Sequence, residues 1–439
     1  MPAITADFAI DSASFSQFWK HCEQRVAALP PRLQRGPAEL ATAATIHREA
    51  RDARERFLLQ HVEKLYANLT AGFSRFLRVE DLVIAAAEAV PGLVPSHVQL
   101  AAEAERPLRE KEGFEIDQGI LVSRILAHPA CGTHLCHAML LPRPEAADAA
   151  RRLAADEFVE LGAVRVERRG RAAHLLVGNP RYLNAEDQGT IAAMETGVDV
   201  ATLDADTDIA VFRGQPVQHA RYAGRRILGS GINLTHLYRG SIPFIWYLQR
   251  ELGFVHKFLR GVAAPESLPD DVSGVGIEKT WIAAVEGWAI GGHCQMLLTM
   301  DYVLAASDAF MTLPARKEGI IPGAANLRLP RFIGDRLARQ LIQAERRLEC
   351  DSTEGRLICD EIVSPSEMDA AIDRTVAMLT NAGSVGAFGN RRAFRVATEP
   401  LDLFRRYCAV YAREQATCHF SEALICNLEQ NWGAQSRKP

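Results

Sequence analysis

Residues 283–292 read AAVEGWAIGG and run directly into His293-Cys294-Gln295, an apolar stretch closed by paired glycines. An earlier stretch, 226–234, reads RILGSGINL. Both read as strands that pass into a turn, where glycine leaves a backbone N–H uncovered by any side chain. Two N–H groups aimed at one carbonyl oxygen form an oxyanion hole, which stabilises charge developing on a thioester or other acyl oxygen. Only a fold that brings the two turns together can use them in this way.

The pattern around these turns suggests such a fold. Up to about residue 155 it is helical: Leu58, Val62, Leu65, Tyr66 and Leu69 share one face of a long helix, with breaks at Pro30-Pro31, Gly36-Pro37, Pro91-Gly92 and Pro95. An alanine-rich helix is expected over 145–161. Then the texture changes. Residues 163–167 and 172–177 flank Arg168-Arg169-Gly170 as a β-hairpin. Asn184 reads as the cap of a helix over 185–196, followed by a strand at 208–213 and a helix at 242–259. A strand at 280–286, a helix at 292–300 and a strand at 302–306 come next. Strands alternating with helices imply βαβ units, hence a sheet with helices packed on it. From Ser366 the period is helical again, and Phe404, Tyr407, Cys408 and Tyr411 share one face of a helix running to about Leu428. The expected division is a helical domain over 1–158, an α/β core over 159–365 and a helical region over 366–439.

Composition narrows the function classes. The chain has 439 residues, 48% hydrophobic and 24% charged, with a formal charge of −4. Neither nucleic acid nor an anionic membrane surface is expected as a partner of so nearly neutral a chain. No basic segment followed by an apolar run opens the sequence, and the longest apolar stretch, 281–300, is interrupted by Glu286, His293 and three glycines. A cytoplasmic location is expected. Nine cysteines without a short-range framework read as reduced thiols. His128, Cys131, His134, Cys136 and His137 have spacing superficially suited to a metal, but Leu135, Met139, Leu140 and Leu141 continue an apolar helical face. A structural helix is the expectation there, and no metal site is assigned.

The ordered set of SGINL, then AAVEGWAIGGHCQ, a strand beginning after Asp301, GIIPG at 319–323 and Arg328-Leu329-Pro330 resembles the crotonase (enoyl-CoA hydratase/isomerase) superfamily over about residues 160–370. The resemblance implies an α/β fold: a crotonase-like ββα spiral core with a helical N-terminal extension and C-terminal helices. It also implies that the N–H groups of Ile232 and Gly292 bind the thioester oxygen of an acyl-CoA. Hydratases of this superfamily carry two acid–base glutamates where this chain has Gln295 and Ala315, neither of which exchanges a proton as a carboxyl does. Glu286 and Glu318 lie nearby in sequence at unmatched positions. Hydration of a double bond is therefore not expected.

The long N-terminal extension, NPRYLNAEDQ, QRELG and GGHCQ resemble one divergent branch, the dihydroxyphenylacetyl-CoA dioxygenases, over nearly the whole chain. That branch serves the making of dihydroxyphenylglycine for glycopeptide antibiotics and uses neither metal nor organic cofactor. The resemblance implies oxidation of 3,5-dihydroxyphenylacetyl-CoA by O2 to the arylglyoxylate and CoA. It implies a ring-hydroxyl contact for Glu186, an active-site role for Arg250 and a polar substrate contact for Gln295. By the same resemblance His219, Ala220, Arg221, Tyr222, Ser230, Gly231, Asn233, Leu234 and Thr235 line the CoA and thioester. Arg225 and Arg226 are further candidates for CoA phosphates, and Ile320 and Ile321 are expected walls of a dry oxygen pocket. A homotrimer or dimer of trimers, packed through the C-terminal helices with Tyr407 and Tyr411 exposed on them, is implied. Two other readings stay open at this stage: a crotonase-type lyase, isomerase or thioesterase, and a non-catalytic CoA-ester-binding protein.

Overall fold

A computed structural model describes residues 1–270, 272, 276–381 and 383–437. Two compact units emerge, and they do not follow chain order. One comprises residues 1–139, 235–248 and 402–439; the other comprises 140–234 and 249–401.

The first unit is helical. Its longest helix, Pro37–Leu69, starts with proline at its first turn, where no N–H is needed, and buries Phe57, Leu58, Leu65 and Tyr66 on one face. The histidine–cysteine segment lies in the helix Pro129–Leu140. His134 is committed to protein partners there: Nδ1 meets the Tyr66 hydroxyl at 2.8 Å and Nε2 meets the Phe73 carbonyl at 3.0 Å. The single C-terminal helix expected to reach Leu428 is two helices, Leu401–His419 and Glu422–Trp432, because Ser421 caps the second by accepting from the Leu424 N–H. Tyr411 is buried and stacks on the half-buried Tyr407. Tyr411 is therefore core of this unit, not free surface.

The second unit is built on a seven-stranded sheet. Strands β1 (Phe158–Glu160), β2 (Val164–Arg169) and β3 (Ala172–Val177) are antiparallel, with the expected hairpin between β2 and β3. Strands β4 (Ile209–Gly214) and β5 (Thr280–Val285) continue it in parallel. After β5 the chain turns at Gly287 into β6 (Trp288–Ile290) and the helix Gly292–Leu297, then returns to the main sheet as β7 (Tyr302–Ala306). The same unit repeats: β8 (Phe310–Thr312) leaves the main sheet to pair with β6, and the helix Ala315–Glu318 follows. Strand β9 (Leu348–Glu349) closes the small sheet, and β10 (Glu361–Val363) closes the large one. Strand, strand, helix, repeated, is the spiral expected of the core. Residues of β3 and β4 are buried throughout, as parallel strands covered on both faces must be.

Three further element expectations need correction. The helix expected over 145–161 ends at Asp156, because Glu157 turns left-handed (φ 62°) and releases β1. The helix expected over 242–259 is two, Ile245–Leu252 and Phe254–Arg260, broken at Gly253. The helix expected over 185–196 begins later, at Ile191, and runs to Leu203. Asn184 caps no helix. Its amide donates instead to the Gln215 and Ile227 carbonyls, which leaves residues 185–187 extended. Among the described residues no helix is long and apolar enough to cross a membrane, and all nine cysteines are free thiols.

Candidate active site

Tertiary structure gathers Glu186, Gly292 and Gln295 around the Arg250 guanidinium, with Ile232 joined to Glu186 by a backbone bridge. Arg250 is buried, and its planar fork joins Glu186, Gln295 and the Gly292 carbonyl. Its Nε donates to Glu186 Oε1 at 2.8 Å, its Nη1 to Gln295 Oε1 at 2.9 Å and its Nη2 to the Gly292 carbonyl at 2.8 Å. Since a guanidinium only donates, the Gln295 oxygen is spent on Arg250, and the Gln295 NH2 is the donor that remains. Glu186 Oε2 is buried and makes no hydrogen bond among the described residues.

Glu186 also ties in the first turn, through its backbone. Its N–H donates to the Gly231 carbonyl and its C=O accepts from the Asn233 N–H, both at 2.7 Å, a parallel bridge with Ile232 opposite. Because the bridge engages the peptide groups on either side of it, Ile232 turns its own N–H the other way. Gly292 opens the helix Gly292–Leu297, so its N–H has no acceptor within the helix. Among the described residues neither the Ile232 nor the Gly292 N–H donates to a protein acceptor.

Glycine is required at both turns for stated reasons. Gly231 has φ +74°, and a Cβ there would sit 3.0 Å from the Ile290 carbonyl oxygen and 3.4 Å from the Gly292 nitrogen. The two turns touch at this point. A Cβ on Gly292 would fall 1.9 Å from Glu186 Oε2 and 2.8 Å from Arg250 Nη2, so the carboxylate and guanidinium occupy the space that glycine leaves.

Two residues of this neighbourhood escaped sequence reasoning. Glu251 is wholly buried between Arg250 (3.4 Å) and Arg328 (3.2 Å), and Arg328 passes on to Glu399 at 2.8 Å. Burial pushes the Glu251 carboxyl up, and Arg328 and then Arg250 counter that push. A Cβ on Gly323 would lie 2.5 Å from both Gln295 Oε1 and Glu251 Oε2, so the turn after Ile320 and Ile321 reaches the cluster there. The second missed residue is His293, whose Nδ1 accepts the Gly231 N–H at 3.2 Å. A charge beside Arg250 and a histidine inside an apolar run were the only signals available.

The remaining expected residues are placed as follows. His219, Ala220 and Arg221 are exposed, and Tyr222 packs edge-on against Trp288 at 5.0 Å. Arg225 is paired with Asp308 at 2.5 Å, and Arg226 donates to the Gly214 carbonyl at 3.1 Å. Both arginines therefore hold protein partners, while the exposed Arg221 lies over the Tyr222 ring. Ser230 pins the turn: its hydroxyl donates to the Leu183 carbonyl and accepts from Trp288 Nε1, both at 2.9 Å. Asn233 reaches Asp187 at 3.4 Å, and Leu234 and Thr235 begin the helix Leu234–Tyr238. Ile320 and Ile321 are half-buried. Near them, burial and Glu345 push the half-buried Glu318 carboxyl up to about 7. Glu286 is bound by Arg213 at 2.7 Å, and Ala315 is buried at the start of its helix.

The comparisons with known proteins show the family and the fold. Residues 274–394 match the family model described as enoyl-CoA hydratase/isomerase. A relative from Amycolatopsis orientalis, a (3,5-dihydroxyphenyl)acetyl-CoA 1,2-dioxygenase, is 45% identical over 421 residues, covering 94% of each chain. The chain belongs to the crotonase (enoyl-CoA hydratase/isomerase) family. Its likeness to the family's hydratases is narrower. Crotonyl-CoA hydratase of Syntrophomonas wolfei is 24% identical, over 50% of this chain and 76% of the relative. Among solved structures, an enoyl-CoA hydratase from Mycobacterium avium subsp. paratuberculosis superposes with a TM-score of 0.50 at 18% identity, covering 61% of this chain and 98% of that one. That likeness shows the crotonase fold.

Proposed function

We propose that the protein is a dioxygenase that converts 3,5-dihydroxyphenylacetyl-CoA and O2 to 3,5-dihydroxyphenylglyoxylate and CoA, without metal or organic cofactor. The observation that carries this reading is a pair of unengaged main-chain donors, Ile232 and Gly292, beside a buried carboxylate with one free oxygen. The near full-length likeness to a dioxygenase of that substrate supports it, as do Gln295 and Ala315 where hydratases have carboxylates.

The two N–H groups polarise the thioester carbonyl and stabilise the enolate oxygen once an α-proton leaves. The aryl ring and the carbonyl both acidify that position. The enolate carbon reduces O2 and forms a C–O bond, giving an α-peroxide. The distal oxygen adds to the thioester carbon and the C–S bond breaks, releasing CoA thiolate. Loss of the second α-proton with O–O cleavage leaves the ketone and the carboxylate, so both oxygen atoms of O2 end in the product. Glu186 Oε2 accepts a ring hydroxyl, the Gln295 NH2 donates to substrate or to the oxygen species, and Arg250 holds both side chains in place. Ile320 and Ile321 wall the oxygen pocket, and residues 219–222, 230, 231 and 233–235 line the CoA and thioester. The product suits the making of dihydroxyphenylglycine for antibiotics, in the cytoplasm, by a homotrimer or dimer of trimers.

An oxygen-electrode trace with purified protein, 3,5-dihydroxyphenylacetyl-CoA and EDTA tests the proposal. The expected result is one O2 consumed per CoA released, unchanged by the chelator. Product formation under nitrogen without O2 uptake would instead favour a lyase, isomerase or thioesterase. Tight thioester binding with no turnover would leave a binding protein.

A further inference from the structure

We propose that His293 is a positioning residue for the two donors: its ring ties the Gly231 peptide to the residue that follows Gly292, and so sets the spacing of the Ile232 and Gly292 N–H groups. This rests on the reading of those N–H groups as the oxyanion hole.

The connection is direct. His293 follows one donor residue in the chain, and its Nδ1 accepts the N–H of the residue that precedes the other donor, at 3.2 Å. One side-chain rotamer therefore couples both turns. The ring has little freedom. It is buried, lies parallel to Phe212 of β4 at 6.5 Å, and fills the space beside Gly229, where a Cβ would fall 2.2 Å from Nε2. The Gly-Ser-Gly of the first turn thus has a division of labour. Gly229 admits the ring, Ser230 pins the strand end, and Gly231 offers its N–H to the ring and its φ of +74° to the turn.

The bond also specifies the chemical form of the ring. An accepting Nδ1 carries no proton, so the imidazole is neutral, with its hydrogen on Nε2. The charged groups facing it are Glu186, with Oε2 3.9 Å from Nδ1, and Arg250. Burial dominates over both and pushes the imidazole down to about 4, so the accepting form prevails at neutral pH. A displacement of about 1 Å at a catalytic group costs on the order of 100-fold in rate. Loss of the tether is therefore expected to appear in the chemical step, with substrate affinity retained.

The test compares H293N, whose side-chain oxygen can accept near the place of Nδ1, with H293L, which cannot accept. Each is assayed under nitrogen, where enolate formation is separated from oxygen chemistry. The readouts are exchange of the substrate α-proton in D2O and the infrared carbonyl band of bound 3,5-dihydroxyphenylacetyl-CoA labelled with 13C at the thioester carbon. Wild type is expected to exchange and to lower the carbonyl frequency. H293N is expected to keep the band shift and exchange within about 10-fold, while H293L loses about 100-fold in exchange with its band returned toward that of free thioester. A folded H293L that binds normally and keeps both would overturn the proposal. Should H293L not fold, nitrogen NMR of histidine-labelled wild type decides, since a protonated Nδ1 on His293 rules the tether out and an unprotonated one with H293N active supports it. Absence of exchange and band shift in wild type itself would instead count against the oxyanion reading.

Discussion

At the scale of residues, the site is organised by what glycine lacks and what arginine supplies. Gly229, Gly231 and Gly292 each leave room that a specific group occupies: an imidazole, a neighbouring turn, a carboxylate with its guanidinium. Arg250 then joins three chain segments with bonds of 2.8 to 2.9 Å. Lysine has charge but no planar fork, and it cannot span Glu186, Gln295 and the Gly292 carbonyl together. R250K is therefore expected to lower kcat/KM by about 100-fold or more. It is also expected to destabilise the fold by about 2 kcal/mol, the scale of a charged hydrogen bond lost from a buried carboxylate. Steady-state oxygen uptake and urea unfolding measure the two effects. A variant within about threefold of wild type on oxygen uptake would mean that Arg250 does not organise the site.

At the scale of elements, the break between Ile245–Leu252 and Phe254–Arg260 shows how one residue overrides a helical period. The apolar pattern continues through Gly253, so sequence alone reads one helix. A Cβ at Gly253 would lie 2.4 Å from the Gln249 carbonyl oxygen and 3.1 Å from the Glu195 carboxyl, which is itself committed to Lys257 at 2.8 Å. G253A is expected to cost about 1–3 kcal/mol through that overlap. It is also expected to reduce oxygen uptake, because Arg250 lies three residues upstream. Denaturant midpoints and turnover check this, and an unchanged midpoint would contradict the steric account. Residues 185–187 give the complementary lesson. Asn184 looked like a helix cap, but its amide spans the Gln215 and Ile227 carbonyls, and the extended backbone that results presents Glu186 to the site.

At the scale of the whole molecule, the division into units cuts across chain order, with the C-terminal helices grouped with the N-terminal ones. Tyr411 is taken up within its own unit and is not exposed for assembly. Val385, Phe394 and Val396 on the helix Ser384–Thr398 are exposed, as are Leu403 and Val410 on Leu401–His419. Light scattering on purified protein is expected to give the mass of three or six 48.3 kDa chains, and a single-chain mass would contradict the proposed assembly.

Much of the core was legible because its signals are local. The hairpin, the parallel strands and the two glycine turns follow from alternation, β-branched runs and the unique φ range of glycine, which depend on near neighbours in the chain. Those turns also carried the family resemblance that singled out Ile232, Gly292 and Gln295 as candidates, while NPRYLNAEDQ and QRELG pointed to Glu186 and Arg250. The placement of Glu251 and His293 was decided only by tertiary structure, for an identifiable reason. A buried charge and a neutral imidazole take their meaning from partners far away in sequence, Arg328 for one and the Gly231 N–H for the other. The same holds for Ser230 and Asn184, whose hydrogen bonds reach partners more than forty residues away in the chain. Sequence alone determined which backbone could turn and where; the packing of distant segments decided which polar atoms were satisfied and which, like Glu186 Oε2, were buried without a hydrogen bond among the described residues.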